Sequence, residues 1–303
     1  MGLHDTRCAV APAPAFHNRP RTPPCAPAMP TLRLPVPADL RPWVLNLRID
    51  EVPAGTLNRF PAMVEGLVVV IVEGIVATLH GPALQGPRGL LAGPRSVPMT
   101  SLTVQRLRTV SALLHPAAVA RLAGCAAQQL RDLQVDLADL WPAAWSTALQ
   151  RLAQARRDRE RVAVLLDVLR RQLAAGGPDT RARALALYRH TALPLRTAAS
   201  RLGWSERHTE RLFLAELGLA PKQFQRVQRF EQTLLRALQA PAMPLAELAV
   251  AGGYADQAHM SHEFRRLSGE APGQLLQRLR ANDPEHWPIV HGWQFAASPS
   301  PRA

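Results

Sequence analysis

Leu245–Leu275 reads LAELAVAGGYADQAHMSHEFRRLSGEAPGQL, and Leu195–Phe224 reads LRTAASRLGWSERHTERLFLAELGLAPKQF. The two stretches are one unit written twice. Ala199 stands four residues before Gly203, and Ala249 four before Gly253. Phe213 precedes Gly218 by five residues, as Phe264 precedes Gly269, and Pro221 and Pro272 follow three residues later. Only the step from glycine to phenylalanine differs, ten residues against eleven, so one residue is inserted in or just after a turn. A period near fifty residues is the range in which repeats mark duplicated supersecondary units.

Each spacing has a physical reason. The alanine is small enough for a second helix to cross the first closely. The glycine takes the left-handed conformation that ends a helix. Ser205 and Asp256 then offer side-chain oxygens to cap the next helix. That helix carries Leu212, Phe213 and Leu217 in one copy and Met260, Phe264 and Leu267 in the other, on one face. Helix, tight glycine turn, helix is the helix-turn-helix pattern, whose second helix enters the DNA major groove. Between the copies, Phe224, Val227, Leu234, Leu235 and Leu238 recur at helical spacing and predict a stiff connecting helix.

Outward from the repeat, Gly176-Gly177-Pro178 breaks the chain and sets the expected boundaries: a sensory or oligomerisation domain over 31–175, a linker at 176–179 and a DNA-binding domain over 180–280. Leu34–Leu114 is strand-and-turn grammar, with a valine-rich run at Leu67–Leu79 and Gly-Pro pairs at 81, 86 and 93. It predicts a small β-barrel or sandwich. His115–Ala175 turns helical, with Leu130, Leu133, Leu137 and Leu140 at steps of three and four. Val162, Leu165, Leu166, Leu169 and Leu173 follow, with Asp158 as the N-cap. These leucines pack on the β-domain or on a second copy. The proline- and alanine-rich residues 1–30 read as a disordered tail, with Met29 an alternative start, and 281–303 as an irregular tail. The fold class expected is α+β: strands then helices, followed by an all-α tandem helix-turn-helix.

The composition narrows the function. The chain has 303 residues, 47% of them hydrophobic, enough for a core in each of two domains. Cys8, Cys25 and Cys125 stand far apart, which argues against a disulfide scaffold or cysteine-rich zinc module and fits a reducing compartment. No apolar run spans a membrane and no secretory leader is evident, so a cytoplasmic protein without membrane contact is expected. The formal charge is +13, and +7 of it lies in residues 181–280. Such a surface favours polyanions. Lys222 is the only lysine, so part of the arginine excess reads as coding bias. No phosphate-loop, dinucleotide, zinc-protease or nucleophile-elbow motif supports an enzyme. No catalytic residue, cofactor or metal is expected. Cys125 reads as a buried thiol, and His80 and His115 as ordinary histidines of the β-region.

The doubled unit resembles the DNA-binding domain of the AraC/XylS family of bacterial transcription regulators over about Thr180–Leu279. The second copy is close to that family's signature and the first a looser match. The strands, the helices and a turn at Trp141–Trp145 before it resemble the sensory domains such regulators carry. The resemblance implies a sequence-specific transcription regulator with double-stranded DNA as partner, its reading helices about 34 Å apart. It further implies a small-molecule effector at the amino-terminal domain, RNA polymerase as a protein partner, and a homodimer. A constitutive DNA-binding protein with an inert amino-terminal domain is the alternative.

On the first reading helix, Glu206, Arg207, His208, Glu210 and Arg211 lie opposite the apolar face. By resemblance the base-reading positions are Arg207, Glu210 and Arg211, arginine suiting guanine O6/N7 and a carboxylate cytosine N4. The bland reading is a solvated face of i,i+4 neighbours. The second reading helix presents Gln257, Ala258, His259, Ser261 and His262. Gln257 suits adenine. His262 stands where the family often has arginine, which makes this helix more a backbone clamp than a base reader. An i,i+3 metal pair of His259 and His262 is the rival reading, with no third ligand nearby. Arg226, Arg229, Arg265 and Arg266 are expected to contact phosphates, and Trp204 and Tyr254 to pack.

Overall fold

The structure, a computed structural model, describes residues 30–78, 82–175 and 178–292. The expectations for Cys8, Cys25, Met29, His80, most of the 1–30 tail, Gly176-Gly177 and residues 293–303 lie outside the described residues.

The amino-terminal half builds strands β1 (Thr31–Leu34), β2 (Val44–Val52), β3 (Leu57–Phe60), β4 (Gly66–Thr78), β5 (Leu84–Gln85), β6 (Arg88–Ala92), β7 (Met99–Leu114) and β8 (Gln134–Asp136). The valine-rich run becomes β4 because its β-branched side chains suit a pleated surface. All pairings are antiparallel, in the order β1-β2-β7-β4-β6-β8, with β3 added to β7 and β5 to β4. Val110 on β7 stands between Ile49 of β2 and Val70 of β4. The strands thus make one sheet, and among the described residues no pair joins β1 to β8 to close a barrel. Register shifts between Ile71 and Val76 bend β4 and curl the sheet.

Side-chain alternation gives the sheet two different faces. Leu47, Ile49, Val68, Val70, Val110 and Ala112 enter the main core, together with the helices. Val52, Ile71, Val76, Leu90 and Leu107 face the other way and pack around Trp287, which belongs to the far end of the chain.

Helices α1 (Val119–Ala123), α2 (Leu137–Leu140), α3 (Pro142–Gln154) and α4 (Asp158–Ala175) follow. The Leu130–Leu140 periodicity is not one helix. Ala127–Leu130 is a 3-10 turn, Asp132 has φ +60°, and Gln134–Asp136 adds β8 to the sheet edge before Asp136 caps α2 by accepting from Ala138 N at 2.8 Å. Leu133 is left exposed. Asp158 lies in the first turn of α4 and pairs with Arg108 at 2.6 Å, while Glu160 accepts from Arg156 N and Arg157 N, the amides left open at the helix start. Val162, Leu165, Leu169 and Leu173 are buried in the same core as the sheet, so the leucine-rich helix packs on its own chain.

The carboxyl-terminal half is helical: α5 (Pro178–Arg189), α6 (Leu195–Leu202), α7 (Glu206–Leu212) continued by a π-helical turn (Phe213–Leu217), α8 (Pro221–Gln239), α9 (Leu245–Ala251), α10 (Gln257–Ser268), α11 (Pro272–Arg280) and α12 (Trp287–Gly292). Its core is continuous with that of the sheet. Several contacts among the described residues hold the halves together. Ala62 N donates to Leu267 O at 2.7 Å, Val64 N donates to the Glu231 carboxylate at 2.9 Å, and the Gly218 backbone lies against Pro94 and Ala127. No helix among the described residues is long and apolar enough to cross a membrane.

Candidate nucleic-acid interface

The two repeat copies fold into matching units, and their turns match bond for bond. α6 ends at Gly203 with φ +70°, and Trp204 N donates back to Ala199 O at 2.9 Å. α9 ends at Gly252-Gly253, the latter with φ +74°, and Tyr254 N donates to Ala249 O at 3.0 Å. Both bonds close over a fully buried small residue, Ala199 or Ala249. The next helix is capped alike: Ser205 Oγ accepts from His208 N at 3.2 Å, Asp256 Oδ1 from His259 N at 2.7 Å. From cap to core phenylalanine the spacing is eight residues in both copies, so the inserted residue is Ala255, in the turn.

Behind each turn an aromatic ring meets the histidine at the third helical position. Trp204 and His208 lie edge-on at 5.5 Å, Tyr254 and His259 at 5.4 Å. The packing role expected for Trp204 and Tyr254 matches this geometry. Phe213 and Phe264 are buried, each edge-on to a phenylalanine of α8, at 6.2 Å to Phe224 and 4.8 Å to Phe230. One helix therefore braces both units, and Phe224, Val227 and Leu234 are its buried face.

Residues 198–278 match the protein-family model described as "Helix-turn-helix domain". The C-terminal domain is of the AraC/XylS type. With that, the chain is a DNA-binding transcription regulator. Among solved structures, ToxT from Vibrio cholerae O395 is similar at 9% identity and a TM-score of 0.42, over 76% of this chain and 96% of that one. A ToxT structure from Vibrio cholerae strain SCE256, described as bound to an unsaturated fatty acid, is similar at 10% identity and a TM-score of 0.42, over 76% and 94%. The AraC-like transcriptional activator CuxR is similar at 15% identity and a TM-score of 0.26, over 71% and 96%. The search of curated proteins gave no match.

On the AraC-type domain, Glu206, Arg207, Glu210 and Arg211 are exposed along α7, and His208 is half-buried. Arg211 donates to His208 Nδ1 at 2.9 Å, which steadies its long side chain on the exposed face of α7. Gln257, Ala258, His259 and His262 are exposed on α10, and Ser261 is half-buried. Counting from the caps, Arg207 corresponds to Ala258, Glu210 to Ser261 and Arg211 to His262. The first unit thus carries the charged pattern and the second a nearly neutral one. His259 also lies 3.4 Å from Ala255 N through Nδ1, an atom turned back toward its own turn.

The four arginines expected at phosphates divide into two pairs. Arg265 and Arg266 are exposed on the last turn of α10, without an ion pair among the described residues. Arg226 and Arg229 carry an ion pair within the chain: Arg226 Nε and Arg229 Nη2 each donate to the Glu263 carboxylate at 2.6 Å. Arg229 also lies over the Tyr254 ring, 4.5 Å from its centroid. This pair ties α8 to α10 instead of standing free on the surface, because Glu263 sits on the buried side of α10 and draws both guanidiniums inward. Burial pushes its carboxyl up, but the hydrogen bonds from Arg229 and Arg226 outweigh this and hold it below the ordinary carboxylate range. Sequence reading passed over Glu263; the available signal was a lone acid among Met260, Phe264 and Leu267 at helical spacing.

Sequence reading also passed over the concave face of the sheet. It borders an empty volume of about 660 Å³, part of it open solvent, lined by aliphatic side chains such as Val69, Ile71 and Leu107 and by polar ones such as Thr78, Thr109 and Gln134. Polar and charged residues make up about half of the lining. Arg48 and Asp50 pair at 2.8 Å, with both side chains nearly buried, and Asn58 is held by Ser101 and Thr103.

Proposed function

We propose that this regulator reads two successive major-groove segments of one DNA duplex, with α7 as the principal base reader and α10 as the second, more weakly specific contact. The observation that carries this reading is the bond-for-bond repetition of turn, cap and buried aromatic in two units braced by one helix. Arg207 and Arg211 suit guanine, Glu210 suits cytosine, and Gln257 suits adenine. Ala258, Ser261 and His262 offer little charge, which fits the lesser role of α10, while His259 supports its turn. Arg265 and Arg266 supply phosphate contacts, with Arg226 and Arg229 acting through Glu263 to hold the α10 angle.

The concave cavity is proposed as the effector site. It is a concavity in which aliphatic and aromatic side chains alternate with polar groups held in place by their own bonds, Arg48 with Asp50 and Asn58 with Ser101, a character that suits a small-molecule pocket. That favours a sensing domain over an inert one. The domains are assigned to 31–175 and 180–280, the chain is placed in the cytoplasm, and no catalytic step is assigned to any residue. Selection of the full chain against random duplexes tests the reading. A defined motif with two half-sites about one helical turn apart is expected, and no preference at physiological salt would overturn it.

A further inference from the structure

One residue that lines the concave cavity does not come from the sheet. Trp287 stands seven residues beyond Arg280, the last residue of α11. It is 7% exposed and packs among Val52, Ile71, Val76, Leu90 and Leu107 of the sheet. Its indole is recognised as a ligand would be. Nε1–H donates to Asn58 Oδ1 at 2.7 Å, the Arg48 guanidinium lies 5.3 Å from the ring centroid, and Phe60 meets the ring edge-on at 6.4 Å.

Asn58 cannot readily turn its amide round. Its nitrogen donates to the Ser101 backbone carbonyl at 3.3 Å, which only accepts, and to Ser101 Oγ and Thr103 Oγ1 at 3.1 Å, so its own carbonyl oxygen is left aimed at the indole as a dedicated acceptor. The backbone carrying Trp287 is in turn fastened to the second helix-turn-helix unit. His286 Nε2 lies 3.3 Å from the carboxylate of Glu270, in the turn before α11, while Arg59 of β3 pairs with Glu285 at 2.8 Å and holds the same segment to the sheet. A side chain tethered to α11 thus occupies a preformed site on the sheet.

We propose that Trp287 is a built-in occupant of this cavity, and that the cavity's soluble ligand is a planar aromatic N–H donor of the indole class. Such a ligand satisfies Asn58 and Arg48 in the place of Trp287, releases the 283–289 segment, and so removes one of the ties between the second reading unit and the sheet, with the Ala62–Leu267 bond left in place. The inference rests on the cavity being the effector site.

Free indole is the probe, with the full chain throughout. Trp287→Ala should melt several degrees below wild type, and indole should restore most of that loss saturably, at one molecule per chain. Benzofuran, which has the same shape without the donor, should bind about tenfold more weakly. In wild type, saturating indole should raise amide hydrogen exchange across 283–289. If Trp287→Ala does not fold, Trp287→Phe keeps a ring beneath Arg48 without the donor, and indole should displace it about tenfold more readily than in wild type. Equal indole response in variant and wild type, equal binding of benzofuran, or unchanged exchange across 283–289 would each overturn the proposal. Indole rescue without DNA preference would sink the regulatory reading alone, and DNA preference without indole rescue this inference alone.

Discussion

Arg229 and Glu263 meet at 2.6 Å across the joint between α8 and α10, with the carboxylate only 3% exposed. Arg226 completes the fork from one turn earlier. One buried acid therefore joins the Phe230–Phe264 contact in setting the angle of α10 on α8. Removing it as Glu263→Ala leaves two guanidiniums crowded and unpaired. The expected loss of stability is roughly 2–3 kcal/mol, below the ~3–5 of a fully enclosed pair because both arginines are about a third exposed. Urea unfolding measures it, and DNA affinity should fall for every sequence alike.

The surface arginines separate into two kinds of effect. Arg211→Ala should weaken the preferred site by roughly 1–3 kcal/mol and blur one base position, while leaving random DNA nearly untouched. Arg265→Ala should weaken all duplexes together and reduce the salt slope by about one. Titrations at several salt concentrations distinguish them; identical selection motifs for Arg211→Ala and wild type would remove Arg211 from the base-reading set.

The turn glycines set a third expectation. Gly203 has φ +70°, with open space where a side chain would stand, so the cost of substitution is conformational and not steric. Gly203→Ala should destabilise by about 1–2 kcal/mol, and Gly203→Asn by less, since asparagine enters the left-handed region more readily. Thermal melting gives the ranking, and an alanine variant as stable as wild type would contradict it.

The pH dependence comes from two buried sites at the joint between the halves. Glu65 and Glu231 face one cavity with Tyr188 and Gln228. Burial pushes both carboxyls up, and the charge of Glu65 pushes Glu231 further, well above its ordinary 4.5. A raised acid stabilises the fold fully below its unfolded pKa and loses that contribution as pH rises through the folded value. Glu231→Gln should therefore stabilise the protein at neutral pH and flatten the alkaline side of the profile. His115, edge-on to Tyr188 at 4.1 Å, behaves oppositely: burial pushes its imidazole down to about 4. Its contribution is present above 6.5 and lost as pH falls from there toward 4. Stability measured from pH 4 to 8 should retain that acid-side loss in Glu231→Gln. A profile unchanged by the substitution would show that the pair carries no shared strain.

Much of the helix-turn-helix framework was legible in the residues because its determinants are local. A left-handed glycine, a capping oxygen two or three residues later and an apolar face at steps of three and four all act within a single turn. They placed Gly203, Ser205, Asp256 and the exposed side of α7 without reference to the rest of the chain. The same local grammar misread Leu130–Leu140, where leucine spacing suited a helix but the sheet edge took Gln134–Asp136 as β8. Hydrogen bonds to β6 decided that segment, and no periodicity announces a partner more than forty residues away.

What the sequence by itself determined is the doubled helix-turn-helix, its caps, its brace and the surface it presents. Tertiary structure alone decided that Glu263 would gather Arg226 and Arg229, that Glu65 would face Glu231, and that Trp287 would reach Asn58, 229 residues earlier. Backbone preferences act between near neighbours. Buried charges and aromatic rings find their partners only after the chain has folded back on itself.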